Sequence, residues 1–267
     1  MTNDNLKKKK LFLLDMDGTI YLDNTLFKYS FEFLNYIKSI NGKYIFLTNN
    51  SSKSVNDYID KLTKLSIEVD SSNFMTSSQA TSLLLRQRYN NKKIYVLGTK
   101  SLKTELKEDG LDIVDEFFEE IDCLLVGFDT ELKYLKLNDA CRILTKDVIY
   151  LATNPDLICP TSFGFIPDCG SICNMIETAT GKIPEYIGKP KPEMVELAIE
   201  INGFSKEETI VIGDRLYTDI ACGINAGVST CIVLTGETKS EHLINTEFVP
   251  DYVFKDIGEL YLNLINN

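Results

Sequence analysis

Short unbroken apolar runs recur along the chain, and they constrain its fold more than any other feature of the sequence. The first two, LFLL (11–14) and YIFL (44–47), contain no polar residue. The others are IYVL (94–97), CLLVGF (123–128), VIYLA (148–152), TIVI (209–212), TCIVL (230–234) and YVF (252–254). A strand without polar alternation is buried on both faces, which is typical of parallel sheets. We therefore predict strands at these runs.

Segments with helical spacing separate the apolar runs. In residues 25–40, for example, Phe27, Phe31, Leu34 and Ile37 follow one another at intervals of three or four. Similar segments are residues 54–65, 78–89, 131–146, 191–203 and 217–226, and residues 258–267 predict a short closing helix. Strands that alternate with helices predict an α/β fold in which helices cover both faces of parallel sheets.

The composition excludes several classes of protein. The chain has 267 residues, which suits one or two domains. No apolar run approaches the roughly 20 residues that span a bilayer, and the run after Lys7–Lys10 is too short for a signal peptide. A net charge of −11 argues against binding to nucleic acid or to an anionic membrane. We therefore expect a cytoplasmic protein without a membrane or nucleic-acid partner.

Cysteine and histidine usage narrows the chemistry further. The seven cysteines form no CxxC pair and are odd in number, which predicts small buried thiols in a reducing compartment. The single histidine, His242, argues against Ser-His-Asp sites and against zinc sites with several histidines. Any chemistry is expected to use carboxylates, lysine and a hard metal ion.

Polar residues follow three of the predicted strands directly. LFLL leads into Asp15 and Asp17, YIFL leads into TNNS (48–51), and TIVI leads into GDR (213–215). In open α/β sheets the ligand crevice lies outside the carboxyl ends of the strands. Lys189, between Gly188 and Pro190, stands just before a predicted helix. Each motif alone also fits a helix N-cap, a turn or a solvated lysine, but their order along the chain favours a shared site.

The motifs DMDGT (15–19), TNNS (48–51), GKP (188–190) and GDRLYTDI (213–220) together resemble the haloacid dehalogenase superfamily. The closest resemblance is to its phosphatases with a large α/β cap, the NagD-like or p-nitrophenyl phosphatase-like group of subfamily IIA. The resemblance covers nearly the whole chain. It implies a Rossmann-like parallel-sheet core, residues 1–76 and 184–267, with an inserted α/β cap domain, residues 77–183.

The resemblance also implies roles for the first two motifs. Asp15 would be the nucleophile that forms an aspartyl-phosphate, and Asp17 would protonate the leaving oxygen and then activate water. Gly18 would let the backbone turn tightly beside the phosphate. Thr48 and Asn49 would hold the transferring phosphoryl group. An acid at position 17 favours turnover to free phosphate, because the superfamily's dehalogenases lack it and its ion pumps carry Thr there.

The same resemblance implies a magnesium site and a catalytic lysine. Lys189 would offset the charge of the phosphoryl group and hold Asp15 ionised. Mg²⁺, which prefers oxygen ligands, would be held by Asp15, by the main-chain carbonyl of Asp17 and by Asp214. Asp219 would orient metal-bound water or brace the loop. The expected function is therefore Mg²⁺-dependent hydrolysis of small phosphate monoesters.

The segment ATNPDLICPTSFGFIPDCGSI (152–172) resembles the family's substrate-facing part of the cap. It makes Asn154, Asp156 and Asp168 candidates for substrate contact. Asn154-Pro155-Asp156 equally fits a turn after a strand, and Asp168 equally fits solvent exposure or the cap of a helix near Gly170. No Lys or Arg occurs between Lys146 and Lys182, so we expect neutral leaving groups to be preferred over phosphoglycolate.

Two alternative functions stay open at this point. One is a phosphotransferase with the same chemistry, and the other is a phosphometabolite-binding protein without turnover. The expected partner is a small phosphorylated metabolite, whose identity the sequence does not select. Caps of this type often take part in dimers, so a homodimer is one further expectation.

Overall fold

The computed structural model of the protein describes residues 3–161 and 163–266. Met1, Thr2 and Asn267, at the ends of the predicted core domain, and Ser162, in the predicted substrate-facing segment, lie outside the described residues. The strands are β1 (Leu11–Leu14), β2 (Tyr21–Leu22), β3 (Thr25–Leu26), β4 (Lys43–Thr48), β5 (Phe74–Thr76), β6 (Ile94–Leu97), β7 (Ile113–Val114), β8 (Cys123–Val126), β9 (Ile149–Ala152), β10 (Ile158–Thr161), β11 (Gly164–Pro167), β12 (Glu185–Tyr186), β13 (Thr209–Gly213), β14 (Ser229–Val233) and β15 (Tyr252–Phe254).

The helices alternate with these strands. They are α1 (Asn3–Leu6), α2 (Ser30–Ser39), α3 (Val55–Lys64), α4 (Ser77–Arg88), α5 (Lys100–Glu108), α6 (Tyr134–Ile143), α7 (Cys169–Thr180), α8 (Glu193–Asn202), α9 (Ala221–Ala226) and α10 (Ile257–Asn266). Short 3₁₀ turns cover Ser71–Asn73 and Ser240–Leu243, and a π-helical segment covers Leu216–Ile220. Among the described helices, we find none with the length and apolar character that crossing a bilayer requires.

The apolar runs all form strands, as the sequence predicts, but two predicted helices differ from the structure. The helix predicted at 25–40 begins only at Ser30, because β2 and β3 form a hairpin around Asp23, whose φ of 52° suits a tight turn. The helix predicted at 217–226 opens with the π-helical segment. The apolar pattern did not predict α5 or the hairpin of β10 and β11, whereas a helix near Gly170, present as α7, was one of the two alternatives for Asp168.

The described residues form two compact units. The six-stranded unit contains the residues up to Thr48, Ile59–Met75 and those from Lys189 onward, and the five-stranded unit contains Asn49–Tyr58 and Thr76–Gly188. Residues 49–58 thus group with the five-stranded unit, whereas the sequence-based boundaries place them in the core. Those boundaries, at 76/77 and 183/184, stay a prediction about independent domains.

The sheet of the six-stranded unit has the order β15-β14-β13-β1-β4-β5. The strand β1 lies at its centre and runs parallel to both β13 and β4, with Leu14 opposite Ile212 on one side and Phe46 on the other. All four residues of β1 are fully buried. The chain passes from β1 to one side of the sheet through β4 and returns on the other side at β13. This reversal places a crevice at the carboxyl end of β1.

The five-stranded unit has its own parallel sheet, in the order β12-β9-β8-β6-β7. Its core packs α6 and α7 against the sheet through buried residues such as Leu124, Val126, Ala140 and Ile172. Asp168 caps the start of α7, where its side chain accepts a hydrogen bond from the backbone N–H of Cys169, and Gly181 caps its end in the left-handed conformation. The predicted α/β class with parallel sheets is confirmed.

The cysteines fit the prediction of structural thiols. The described cysteines are free, and they are Cys123, Cys169, Cys173, Cys222 and Cys231, which are buried, with Cys141 and Cys159, which are partly exposed. Burial raises the pKa of the Cys222 thiol to about 12. A thiol that stays protonated is a weak nucleophile.

Candidate active site

The first candidate residue, Asp15, directly follows the central strand β1. Its backbone N–H donates a hydrogen bond to the carbonyl of Ile212 at 2.8 Å, so the parallel ladder continues through this residue. The strands β13 and β4, which flank β1, are buried, and their hydrogen bonds to β1 leave the backbone of Asp15 little freedom. Its side chain retains 16% exposure. The fold therefore presents this carboxylate at a fixed position at the carboxyl edge of the sheet.

Three carboxylates meet at this edge. Side-chain oxygens of Asp15, Asp214 and Asp219 all lie within 4.8 Å of one another. Asp214 follows β13, the neighbour of β1, and Asp219 lies one turn further along, in the π-helical segment. Asp214 and Asp219 are almost fully buried. So many negative charges in a buried space repel one another strongly unless cations offset them.

Lys189 is one such cation, and it is itself buried. Its Nζ lies 2.9 Å from Asp15 Oδ1 and 2.6 Å from Asp219 Oδ1, and it also donates to the carbonyl of Leu47 at 2.9 Å. Burial alone would lower the pKa of Lys189, but the charges of Asp15 and Asp219 outweigh it and raise that pKa. The Lys189 side chain is therefore a charged ammonium at neutral pH.

One lysine does not neutralise three carboxylates, and the pKa values of Asp15 and Asp214 reflect this. Burial raises the pKa of Asp15 well above its usual range, although Lys189 opposes the rise. Burial and the charge of Asp219 raise the pKa of Asp214 to about 7. Without a further cation, the cluster holds a carboxyl group whose ionisation is costly near neutral pH.

The donor set fits a hard divalent cation. Asp214 Oδ2 accepts from the backbone N–H of Glu237 at 2.7 Å, but its Oδ1 is buried and has no hydrogen-bond partner among the described residues. A buried carboxylate oxygen without a partner is costly, and coordination of a cation would remove that cost. Oxygen ligands from carboxylates are the ones that Mg²⁺ prefers.

The loop after β14 closes this site, although none of its residues was among the predicted site residues. Besides the contact from Glu237, the N–H of Thr238 donates to the carbonyl of Asp214 at 3.1 Å, and the hydroxyl of Thr235 donates to the carbonyl of Gly18 at 2.5 Å. A Cβ at Gly236 would overlap the Asp214 carboxylate, so only glycine fits there. The signal was available, because TGET (235–238) also follows a buried strand of the same sheet.

Family models match both halves of this site. A model described as haloacid dehalogenase-like hydrolase matches residues 12–112, and a second HAD-hydrolase-like model matches residues 186–260. The chain belongs to the haloacid dehalogenase-like hydrolases. The resemblance inferred from the four motifs is thereby confirmed.

Similar members of this hydrolase family are named phosphatases. An acid sugar phosphatase of Staphylococcus haemolyticus is 33% identical over 98% of this chain and 99% of that protein. The solved structure of a 4-nitrophenylphosphatase from Thermotoga maritima matches with a TM-score of 0.93 and 42% identity, covering 97% of this chain and 99% of that one. The predicted enzyme class, a phosphatase of the haloacid dehalogenase type, is confirmed.

A third similar hydrolase was solved with a metal. The glycerol phosphate phosphatase of Mycobacterium tuberculosis, in complex with magnesium, matches with a TM-score of 0.89 and 27% identity, covering 96% of this chain and 78% of that one. Phosphatases of this family generally use a metal ion, which agrees with the carboxylate donor set described above.

The other residues predicted in the hydrolase core are Gly18, Thr48 and Asp17. Gly18 has a φ of +90°, which favours glycine, and its N–H donates to the carbonyl of Tyr21 at 2.8 Å. Thr48 is the buried last residue of β4. The side chain of Asp17 lies outside the cluster of three carboxylates and is 41% exposed. Their roles toward a phosphoryl group stay predictions.

The candidates in the five-stranded unit form a separate buried network. Asn49 Nδ2 donates to Asp156 Oδ2 at 2.8 Å. Asn154 Nδ2 donates to the same oxygen at 3.0 Å and to Asp168 Oδ1 at 3.1 Å. Asp168 also caps α7, which is the alternative that the sequence left open. These contacts hold the loops of this unit together, and substrate contact by the four residues stays a prediction.

Proposed function

We propose that the protein hydrolyses small phosphate monoesters, sugar phosphates among them, through an aspartyl-phosphate on Asp15 with Mg²⁺ as cofactor. One observation carries the proposal, namely the cluster of the Asp15, Asp214 and Asp219 carboxylates, two of which are paired with the buried Lys189. Similarity to an acid sugar phosphatase over almost the whole chain supports the substrate class.

The metal would be held by Asp15 and Asp214, together with the main-chain carbonyl of Asp17. Its ligands are oxygens, and the buried Oδ1 of Asp214 offers one that has no hydrogen bond to the described residues. When bound, Mg²⁺ supplies positive charge that lets an anionic phosphate approach a carboxylate. Asp219 holds Lys189 through its Oδ1 and accepts from the N–H of Arg215 at 3.1 Å through its Oδ2, which makes it a brace for the site.

In the first step of the proposed reaction, a carboxylate oxygen of Asp15 attacks phosphorus, and the bond from phosphorus to the leaving oxygen breaks. Asp17 gives its proton to that oxygen, and the alcohol departs. Lys189, charged and 2.9 Å from Asp15 Oδ1, offsets the negative charge gathered around the phosphoryl group. Thr48 offers a hydroxyl to the phosphoryl oxygens.

In the second step, water attacks the phosphorus of the aspartyl-phosphate. Asp17, now a carboxylate, takes a proton from that water, and the bond between phosphorus and the Asp15 oxygen breaks. Free phosphate leaves, and both aspartates return to their starting state. A carboxylic acid that alternates between acid and base in this way contributes roughly 10²–10⁴-fold in rate.

We expect the enzyme to turn over phosphate esters with neutral, hydroxyl-rich leaving groups faster than esters whose leaving group carries a carboxylate. The stretch from residue 147 to residue 181 contains no Lys or Arg, so it offers no cation for a second anionic group. We propose sugar phosphates as the substrate class for this reason. A cytoplasmic location and a homodimer remain part of the proposal.

The test is steady-state turnover of the purified chain with p-nitrophenyl phosphate and a panel of sugar phosphates, with Mg²⁺ and after chelation. We expect release of phosphate that requires Mg²⁺ and is lost in Asp15→Asn. Turnover that persists in the chelated enzyme, or in Asp15→Asn, would contradict the mechanism. Phosphorylated products formed from an added alcohol, in place of free phosphate, would favour the phosphotransferase alternative.

A further inference from the structure

A lysine outside the carboxylate cluster lies against the second aspartate of the DMDGT motif. Lys61 Nζ, on α3, is 3.6 Å from Asp17 Oδ1. The side chain of Lys61 is only 19% exposed, while that of Asp17 is 41% exposed. The cation is therefore held more firmly than the carboxylate that it faces. Both residues belong to the six-stranded unit.

A buried tyrosine completes the contact. The ammonium of Lys61 lies 3.8 Å from the centre of the Tyr21 ring, which is a close cation–π contact. The hydroxyl of Tyr21 lies 3.4 Å from the other oxygen of Asp17, Oδ2. Tyr21 is fully buried. Its backbone carbonyl accepts a hydrogen bond from the N–H of Gly18, and an isolated β-bridge joins Tyr21 to Asp17, so its backbone is fixed to the turn. The ring is thus a fixed platform for the ammonium.

Together these contacts engage both oxygens of the Asp17 carboxylate. Oδ1 faces the ammonium and Oδ2 faces the hydroxyl. An exposed aspartate on a turn otherwise rotates among several rotamers. A proton donor must lie within hydrogen-bond reach of the oxygen that it serves, so a carboxylate that rotates away spends part of its time unable to act.

We propose that Lys61 is a positioning residue for Asp17, holding its carboxylate in the orientation from which it protonates the leaving oxygen. This inference rests on the proposed phosphatase function. Partly exposed ion pairs contribute little to stability, whereas misplacement of a catalytic group by about 1 Å can cost on the order of 100-fold in rate. The contact therefore matters far more for catalysis than for folding.

The test compares leaving groups that differ in their need for a proton. p-Nitrophenolate departs without one, whereas the alkoxide of a sugar needs it. We expect Lys61→Met to lower kcat/KM about 10–100-fold for sugar phosphates and to change it little for p-nitrophenyl phosphate. A plot of log kcat/KM against leaving-group pKa, over a series of aryl and alkyl phosphates, should become steeper.

Two comparisons isolate the role of Lys61. Lys64→Met, an exposed lysine on the same helix, should leave the slope unchanged. In an Asp17→Asn background, Lys61→Met should cause no further loss, because the group that it orients no longer transfers a proton. Thermal unfolding of each variant checks that the fold is kept.

The possible results separate this inference from the proposed function. Equal losses for all substrates together with a lower melting temperature would give Lys61 a structural role and overturn the inference. A higher KM with unchanged kcat, seen also when Lys61→Met is made in the Asp17→Asn background, would make Lys61 a substrate contact and would also overturn the inference. Absence of turnover by the wild type would overturn the proposed function as well, whereas wild-type turnover with an unchanged slope in Lys61→Met would overturn the role of Lys61 alone.

Discussion

Replacing Lys189 with methionine tests whether the buried lysine holds the carboxylate cluster together. Methionine keeps most of the side-chain volume and removes the charge. The lysine is 3% exposed and lies 2.9 Å and 2.6 Å from two carboxylate oxygens. At an effective dielectric constant of 20, each such contact is worth about 6 kcal/mol of gross attraction. Much of that gain offsets the cost of burying the charges in the first place.

The net effect is smaller than the gross attraction but still large. Removing one partner of a buried ion pair typically costs about 3–5 kcal/mol, because the other charge stays buried without compensation. We therefore expect the free energy of unfolding of Lys189→Met, measured without metal, to fall by about that amount. Mg²⁺ should restore part of it, because a cation among the carboxylates also lowers their repulsion. Activity should not return, since the charge beside Asp15 is still missing.

The measurement is urea unfolding followed by circular dichroism, in chelator and in excess Mg²⁺. Lys64→Met, at an exposed position, serves as the control and should match the wild type. The double variant Lys189→Met/Asp219→Asn should be more stable than Lys189→Met, because one buried charge has been removed. If Lys189→Met stayed within about 1 kcal/mol of the wild type in chelator, the value typical of exposed pairs, our account of the cluster would be wrong.

The remaining predictions concern the aspartates. The raised pKa of Asp214, about 7, means that the folded metal-free protein holds a proton that the unfolded chain releases near pH 4. The stability of the metal-free protein should therefore fall as pH rises from about 4 to about 7. In thermal unfolding, Mg²⁺ should make the stability depend less on pH. Equal slopes of melting temperature against pH with and without Mg²⁺ would contradict this prediction. Asp15→Asn should abolish turnover in a phosphate-release assay while circular dichroism shows an intact fold, and activity above a few per cent would exclude Asp15 as nucleophile. Asp168→Ala should cost about 1 kcal/mol in urea unfolding, as the loss of a helix cap does. The substrate contact predicted for Asp168 requires the same variant to change the ratio of kcat/KM for phosphoglycolate and a neutral sugar phosphate, and an unchanged ratio would contradict that contact.

Much of the six-stranded unit was predictable because its signals are local. A run such as LFLL is buried on both faces wherever it lies, and an aspartate that directly follows it must emerge at the edge of the sheet. Asp15 and Asp214 were brought together in this way, since β1 and β13 are neighbours. Lys189 was harder to place, because GKP alone equally fits an exposed turn.

The five-stranded unit was less predictable, because polar side chains there serve one another. Asn154 and Asp168 are fourteen positions apart and share a hydrogen bond inside the unit. Nothing in the sequence distinguishes such a pair from two residues that face a ligand. The contact between Lys61 and Asp17 depends on where the fold places α3, which the apolar pattern does not specify.

The central position of β1 has a consequence for how the protein is made. Its neighbours in the sheet are β4, which ends at residue 48, and β13, which begins at residue 209. During synthesis at about 5–20 residues per second, β1 therefore waits on the order of ten seconds with one buried edge uncovered. The residues of the five-stranded unit all emerge within that interval. An exposed apolar strand edge is a template for aggregation, so a nascent chain stalled before residue 209 should depend on chaperones far more than the finished enzyme does.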